Sequence, residues 1–232
     1  MQFPDDYENR KFYHSTVLQA FANADGKYVD LYVGQAGRNN DITAFNRSPL
    51  GIAFNKDMLP DGHADKPHRP QIPAFHTNHT TIDDVTIPPH FLLDSIYPHT
   101  LHGQVLYPDT QGFNQGLTPP QRSYNWRHKD GRCVIENTFG LTKQRWRMFL
   151  HTIEDTQPEI INNGIMAACV LHNFCIDHGD VMVRNPRVAP DYDEHPNLIN
   201  GRPIQHGQCA ESALAVRDAI AKHVHVLHPA CD

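Results

Sequence analysis

Several features that would fix the class of this 232-residue chain are missing from it. No window of about 18 apolar residues occurs, so no membrane span is expected. The opening residues, MQFPDDYENRK, are polar and acidic and lack the apolar run of a secretory signal. The five cysteines (Cys133, Cys169, Cys175, Cys209 and Cys231) are odd in number and include no Cys-x-x-Cys pair. That argues against a disulfide framework or a closed zinc site. It favours a reducing compartment, nuclear or cytoplasmic, rather than secretion. An overall positive charge is missing too: the formal net charge is −6, which speaks against a surface built to coat nucleic acid everywhere.

What is present is a globular composition, 39% hydrophobic and 20% charged, in a chain long enough to bury a core. Charge is uneven. Between 122 and 147 seven basic residues face two acidic ones, Asp130 and Glu136, a local excess of five. Such a patch can bind a phosphate backbone with strong salt dependence. Residues 12–24 and 27–33 carry β-branched and aromatic residues around Asp25-Gly26, the signature of an antiparallel hairpin. Asn40 or Asp41 can cap a short helix ending near Ser48 and Pro49. The proline-rich stretch 55–89, with His63, His68, His76 and His79, reads as a long insertion loop. Its histidines lack the paired spacing of a closed zinc site. Residues 91–94, FLLD, read as a buried strand ending in Asp94, the position where ligands sit in open α/β sheets.

The stretch 132–173 reads as two helices. On the first, Ile135, Phe139, Trp146 and Phe149 share a core-facing side, while Arg132, Glu136, Gly140, Lys143 and Arg147 form a second stripe. A lone carboxylate among cations suits a hard metal or a phosphate, and also a plain solvated face. The second helix, 158–176, buries Ile161, Ile165, Ala168, Cys169, His172 and Cys175, with His172 as a hydrogen-bonded core residue and Gly179 as the stop. After an extended stretch at 184–206, residues 209–226 read as a last amphipathic helix.

IENTFGLTKQRWRMF followed by AACVLHNFCIDHG resembles the third-carboxylate region of PIF/Harbinger-type transposases and their domesticated nuclease relatives. The shared features are the acidic residue, the Phe-Gly pair, the Arg-aromatic-Arg patch and the A-C-x-L-H-N helix. ENRKFYHSTVLQAF and DGKYVDLYVGQAGRNNDITAFNRSPL resemble the family's first segments, with Ala36 and Asn40 standing where Pro and His are usual. DSIYPHT resembles the segment carrying the second triad Asp, with Leu93 in place of the usual Gly. The stretch around YNWRHKDGR resembles the loop leading to the Glu helix. There Trp126, Arg127 and His128 are candidates to contact a flanking nucleotide, Trp126 being equally a packing residue.

The resemblance implies an α/β fold, a ribonuclease-H-like mixed sheet flanked by helices, lacking its first strand. It implies a nuclease domain over 1–180 and a C-terminal extension over 181–232. It makes Asp94 and Glu136 the catalytic carboxylates and ligands of Mg²⁺ or Mn²⁺. Asp41 is either a helix cap or a further metal ligand. Arg132, Lys143, Arg145 and Arg147 would hold DNA. No D-G-T-H-like segment carrying the first triad Asp is found, and Asp5 and Asp6 follow no strand-forming run. Without that Asp, weak or no nicking is expected. A separate DNA-binding protein is the expected partner. Three readings compete: a metal-dependent DNA endonuclease, a non-catalytic DNA- or protein-binding module on the same fold, and a histidine-rich metal-binding protein of another fold. The oligomeric state is not legible.

Overall fold

A computed structural model describes residues 4–9, 11–52, 79–109, 116–153, 157–180 and 211–228. The chain forms two compact units, each built from two segments. The first unit comprises Met1–Asp57 and Cys133–Pro196, the second Met58–Arg132 and Asn197–Asp232. The architecture is mixed α/β. Among the described residues the strands form three separate two-stranded sheets.

In the first unit, β1 (Thr16–Ala22) and β2 (Tyr28–Ala36) form the expected antiparallel hairpin. Gly26 in its turn has φ +75°, which a residue without Cβ adopts at little cost. Helix α1 (Asp41–Arg47) follows, capped by Asn40, whose Oδ1 accepts the Thr43 N–H at 2.8 Å. The unit closes with α3 (Pro158–Asp177), which lies against β2. Its ending is a Schellman motif: Gly179 N–H donates to Ile176 O and Asp180 N–H to Cys175 O, with Gly179 at φ +74°. Ala168, Cys169 and His172 are its fully buried residues. It is the one described helix whose length and composition would allow a bilayer crossing. Here polar groups tie it to the hairpin instead. Asn162 accepts from Thr16 Oγ1 at 3.1 Å, His172 Nε2 bonds Gly26 O at 3.1 Å, and Asn173 bonds both N and O of Tyr28 at 2.8 and 2.7 Å.

The second unit contains two small sheets. β3 (Thr80–Ile82) and β4 (Val85–Ile87) form a hairpin. This corrects the insertion loop expected over 55–89, at least at its described end. The turn residues Asp83 and Asp84 have φ +47° and +62°, the pair of left-handed conformations a two-residue type I′ turn requires. His63, His68 and His76 lie outside the described residues. β5 (Phe91–Leu92) pairs in parallel with β6 (Gly103–Gln104), so the strand expected at 91–94 is present but short. The final helix, α4 (Glu211–Leu227), covers the β3–β4 hairpin with Val216 and Ala219 against Ile87, and places Ala221 beside Tyr107, Leu117 and Tyr124. The whole stretch 184–206, with its surroundings from 181 to 210, lies outside the described residues.

Helix α2 (Pro119–Arg145) departs most from expectation. It was expected to begin at Arg132, and 119–131 to be loop. Pro119 and Pro120 occupy its first turn, where their missing N–H groups cost nothing, and Gln121 Oε1 accepts the Thr118 N–H at 2.9 Å. At its other end Trp146 leaves helical geometry (ψ 84°), so Trp146 and Phe149 do not continue the helix's core face as expected.

Candidate functional site

Asp94 belongs to the second unit and lies two residues beyond β5. Ser95 fixes one of its oxygens: the backbone N–H donates to Oδ1 at 2.5 Å and Oγ at 3.2 Å. The Tyr97 N–H donates to the Asp94 carbonyl at 3.0 Å, closing a turn. The other oxygen, Oδ2, stands 3.6 Å from Arg132 Nη2, with both side chains partly exposed. A cationic group therefore already sits at the carboxylate expected to hold a metal.

Arg132 reaches that place because α2 runs along β6 and the chain beyond it, held by side-chain to backbone bonds. Asn125 accepts the Tyr107 N–H at 2.8 Å and donates to Tyr107 O at 3.0 Å. Tyr124 donates to Val105 O at 3.4 Å. One turn later His128 Nε2 bonds Gln104 O at 3.0 Å, and one turn after that comes Arg132. His128 is buried, so it is not the nucleotide contact the sequence suggested. Burial pushes its pKa down to about 4; the Gln104 bond opposes this, Arg132 assists and Asp94 opposes. Its Nδ1 has no hydrogen-bond partner among the described residues. Burial likewise lowers His90, against the bond it makes to Pro88 O.

Glu136 belongs to the first unit, on the last turns of α2. It is partly exposed, and no hydrogen bond or ion pair to its carboxylate is found among the described residues. Thr138 and Thr142, buried on another side of the helix, anchor it: Thr142 Oγ1 meets Tyr28 OH at 2.8 Å. One turn beyond Glu136, Gly140 leaves open space, since a Cβ there would meet nothing within 4 Å.

The basic residues separate into distinct roles. The Arg145 side chain is only 9% exposed and grips Asp180 through carboxylate and carbonyl. It is a structural clasp joining the end of α2 to the end of α3. Arg147 is exposed, on the 3₁₀ turn Arg147–Leu150 rather than on α2, so the expected five-residue stripe is broken there. Lys143 remains on the helix, half-buried. Asp41 is exposed in the first turn of α1; Asn40, not Asp41, is the cap.

One group escaped the sequence reading. Asp30, on β2, has an oxygen buried without a partner among the described residues, and burial raises its pKa. The signal was present as a carboxylate on the Tyr28 and Tyr32 side of an alternating strand. Among the described residues no group of three or more His, Cys, Asp or Glu side chains comes together in a metal-binding cluster.

Comparison with known proteins gives the arrangement a family. The model of the DDE superfamily endonuclease family matches residues 2–173. Two curated relatives, the proteins named "Putative nuclease HARBI1" of Homo sapiens and Bos taurus, are each 35% identical over 75 residues, covering 32% of this chain and 22% of the relative. The match thus spans about a fifth of either relative's length. No solved structure matches the chain. Because the family model covers most of the sequence, including Asp94 and Glu136, the chain belongs to the DDE superfamily of endonucleases.

Proposed function

We propose that this chain cleaves DNA phosphodiester bonds by metal-assisted phosphoryl transfer, as a Harbinger-type nuclease on a ribonuclease-H-like fold. Asp94 and Glu136 are its carboxylate ligands for Mg²⁺ or Mn²⁺. The observation that carries the reading is the family match spanning both carboxylates, Asp94 just beyond β5 and Glu136 on α2, each partly exposed.

The donors suit the ion. Both are hard oxygen ligands, and Mg²⁺ is commonly held by one or two carboxylates with water and substrate phosphate completing its shell. Arg132 at Asp94 Oδ2 acts as a stand-in cation, which marks that oxygen as one that accepts positive charge. When bound, the ions would stabilise the attacking and leaving oxygens of an in-line displacement. The chain's own groups do the rest. The Ser95 N–H and hydroxyl hold Asp94 in one orientation. Lys143 and Arg147 neutralise phosphates and position the strand. Asp41 is exposed, and its negative charge in the first turn of α1 suits the helix dipole. The free thiols of Cys133, Cys169 and Cys175 suit a reducing compartment, nuclear or cytoplasmic. Recruitment to a target by a separate DNA-binding protein is part of the same reading.

A supercoiled-plasmid assay tests it. Slow Mn²⁺-dependent nicking is expected from the full chain, and Glu136→Ala is expected to abolish it. Nicking that is absent, or indifferent to the substitution, removes the catalytic reading. The second reading, a non-catalytic DNA-binding module, is favoured by the ion pair occupying Asp94. It predicts plasmid binding with no nicking at any Mn²⁺ concentration.

A further inference from the structure

The outer face of α2 in the second unit carries a residue that the cleavage reading leaves unused. Trp126 is 56% exposed. Its neighbours Tyr124, Asn125 and His128 are buried and bonded to the chain from Gln104 to Tyr107, so these residues anchor the helix without the indole. An exposed tryptophan forgoes one of the largest burial gains any side chain offers. Arg127 holds the ring in place: its guanidinium carbon lies 4.6 Å from the ring centroid, and its Nη1 stands 3.5 Å from Asp130 Oδ2. Arg127 lies over one side of the ring, and the residue as a whole stays 56% exposed. Helical spacing sets Arg122 one turn before Trp126 and Lys129 one turn after it. The result is an aromatic plate with cations on either side along the helix.

We propose that Trp126, braced by Arg127, is a stacking platform for an unpaired base of single-stranded DNA, with Arg122 and Lys129 meeting the flanking phosphates. The ring stands on the convex surface of a helix. Bases inside a duplex are already stacked and closed to it, whereas an unpaired base offers a free π-face. Flanking cations suit the phosphates that precede and follow such a base. The identity of the nucleic acid rests on the nuclease reading above; the inference adds that the enzyme holds a melted or extruded stretch of its DNA.

The test is a fluorescence-anisotropy titration of the full chain in EDTA, which excludes cleavage. The probes are a labelled oligothymidylate of about 20 nucleotides and a duplex of equal length. Trp126→Ala is expected to weaken oligothymidylate binding about tenfold at every salt concentration. Trp126→Phe should restore most of the affinity, and the duplex should change little. Lys129→Ala should instead flatten the salt dependence. Since Trp126 packs little of the unit, the melting temperature should stay constant. Unchanged oligothymidylate affinity in Trp126→Ala, or equal losses for single strand and duplex, overturns the proposal. Plasmid nicking with an inert Trp126 leaves the nuclease reading standing and removes this one. A Trp126 effect without nicking does the reverse.

Discussion

At the scale of single residues, buried histidines define the chemistry of the second unit. His128 is folded into a place where its imidazole stays neutral, with a pKa near 4 against an ordinary 6.5. As pH falls below 6.5 the unfolded chain takes the proton first, so stability is lost from there down to about pH 4, below which both states are protonated. Arg132, Asp94 and His90 are the charged and titratable groups acting on it. Linkage puts the loss from His128 alone at about 2 kcal/mol between pH 7 and pH 5. His90 and His172 are shifted the same way and Asp30 the opposite way. Urea midpoints at the two pH values should therefore converge in His128→Gln relative to the unmodified chain. Midpoints that separate as far as before would show that this histidine is not held neutral. Not all such residues were equally legible. His172 was readable as a core histidine because an apolar stripe surrounds it on its own helix. The burial of His128 was not, because its partner, Gln104 O, lies 24 residues away on another element.

At the scale of elements, α2 shows why periodicity misled. Sequence patterning finds a helix by its apolar face. The first half of α2 instead buries Ser123, Asn125 and His128 and attaches through hydrogen bonds to backbone, so its inward face looks polar on paper. The better signal was Thr-Pro-Pro-Gln at 118–121, a start motif that needs no hydrophobic pattern. The β1–β2 hairpin, α1 and α3 were legible because turn, cap and stop residues stand in the local sequence. The β3–β4 hairpin was hidden by the prolines around it, although Thr-Thr-Ile and Val-Thr-Ile flank its Asp-Asp turn. Gly140 gives this scale its prediction. Among the described residues nothing fills the space beside it, and glycine within a helix costs about 1 kcal/mol relative to alanine. Gly140→Ala should raise the melting temperature by about 2–4 °C in a chain of this size. The same substitution adds a methyl group one turn from Glu136. Calorimetry beside the nicking assay should therefore show a more stable protein that cleaves more slowly. A stabilised chain with undiminished nicking would mean that DNA does not approach this side of the helix.

At the scale of the whole molecule, a net charge of −6 has to be reconciled with the proposed DNA substrate. The local excess between 122 and 147 was legible as a sum, but the sum overstates the cations available. Arg127 faces Asp130, Arg132 faces Asp94 and Arg145 grips Asp180. Two of these acids, Asp94 and Asp180, lie outside the segment, so no count over it could have included them. A pairing that folding has already made releases no counterion when DNA arrives, whereas an exposed cation does. Arg147 and Arg145, two positions apart in sequence, separate these cases. Removing Arg147 should lower the slope of log affinity against log salt by about 0.9, one phosphate contact, and leave the melting temperature alone. Arg145→Ala should leave the slope as it was and lower the melting temperature, because Asp180 loses its partner and the ends of α2 and α3 lose their clasp. Anisotropy titrations with duplex DNA across roughly 50–200 mM salt read the slopes directly. Identical slopes for the unmodified chain and both variants would remove this part of the protein from the DNA interface and move phosphate binding to the Trp126 face of α2.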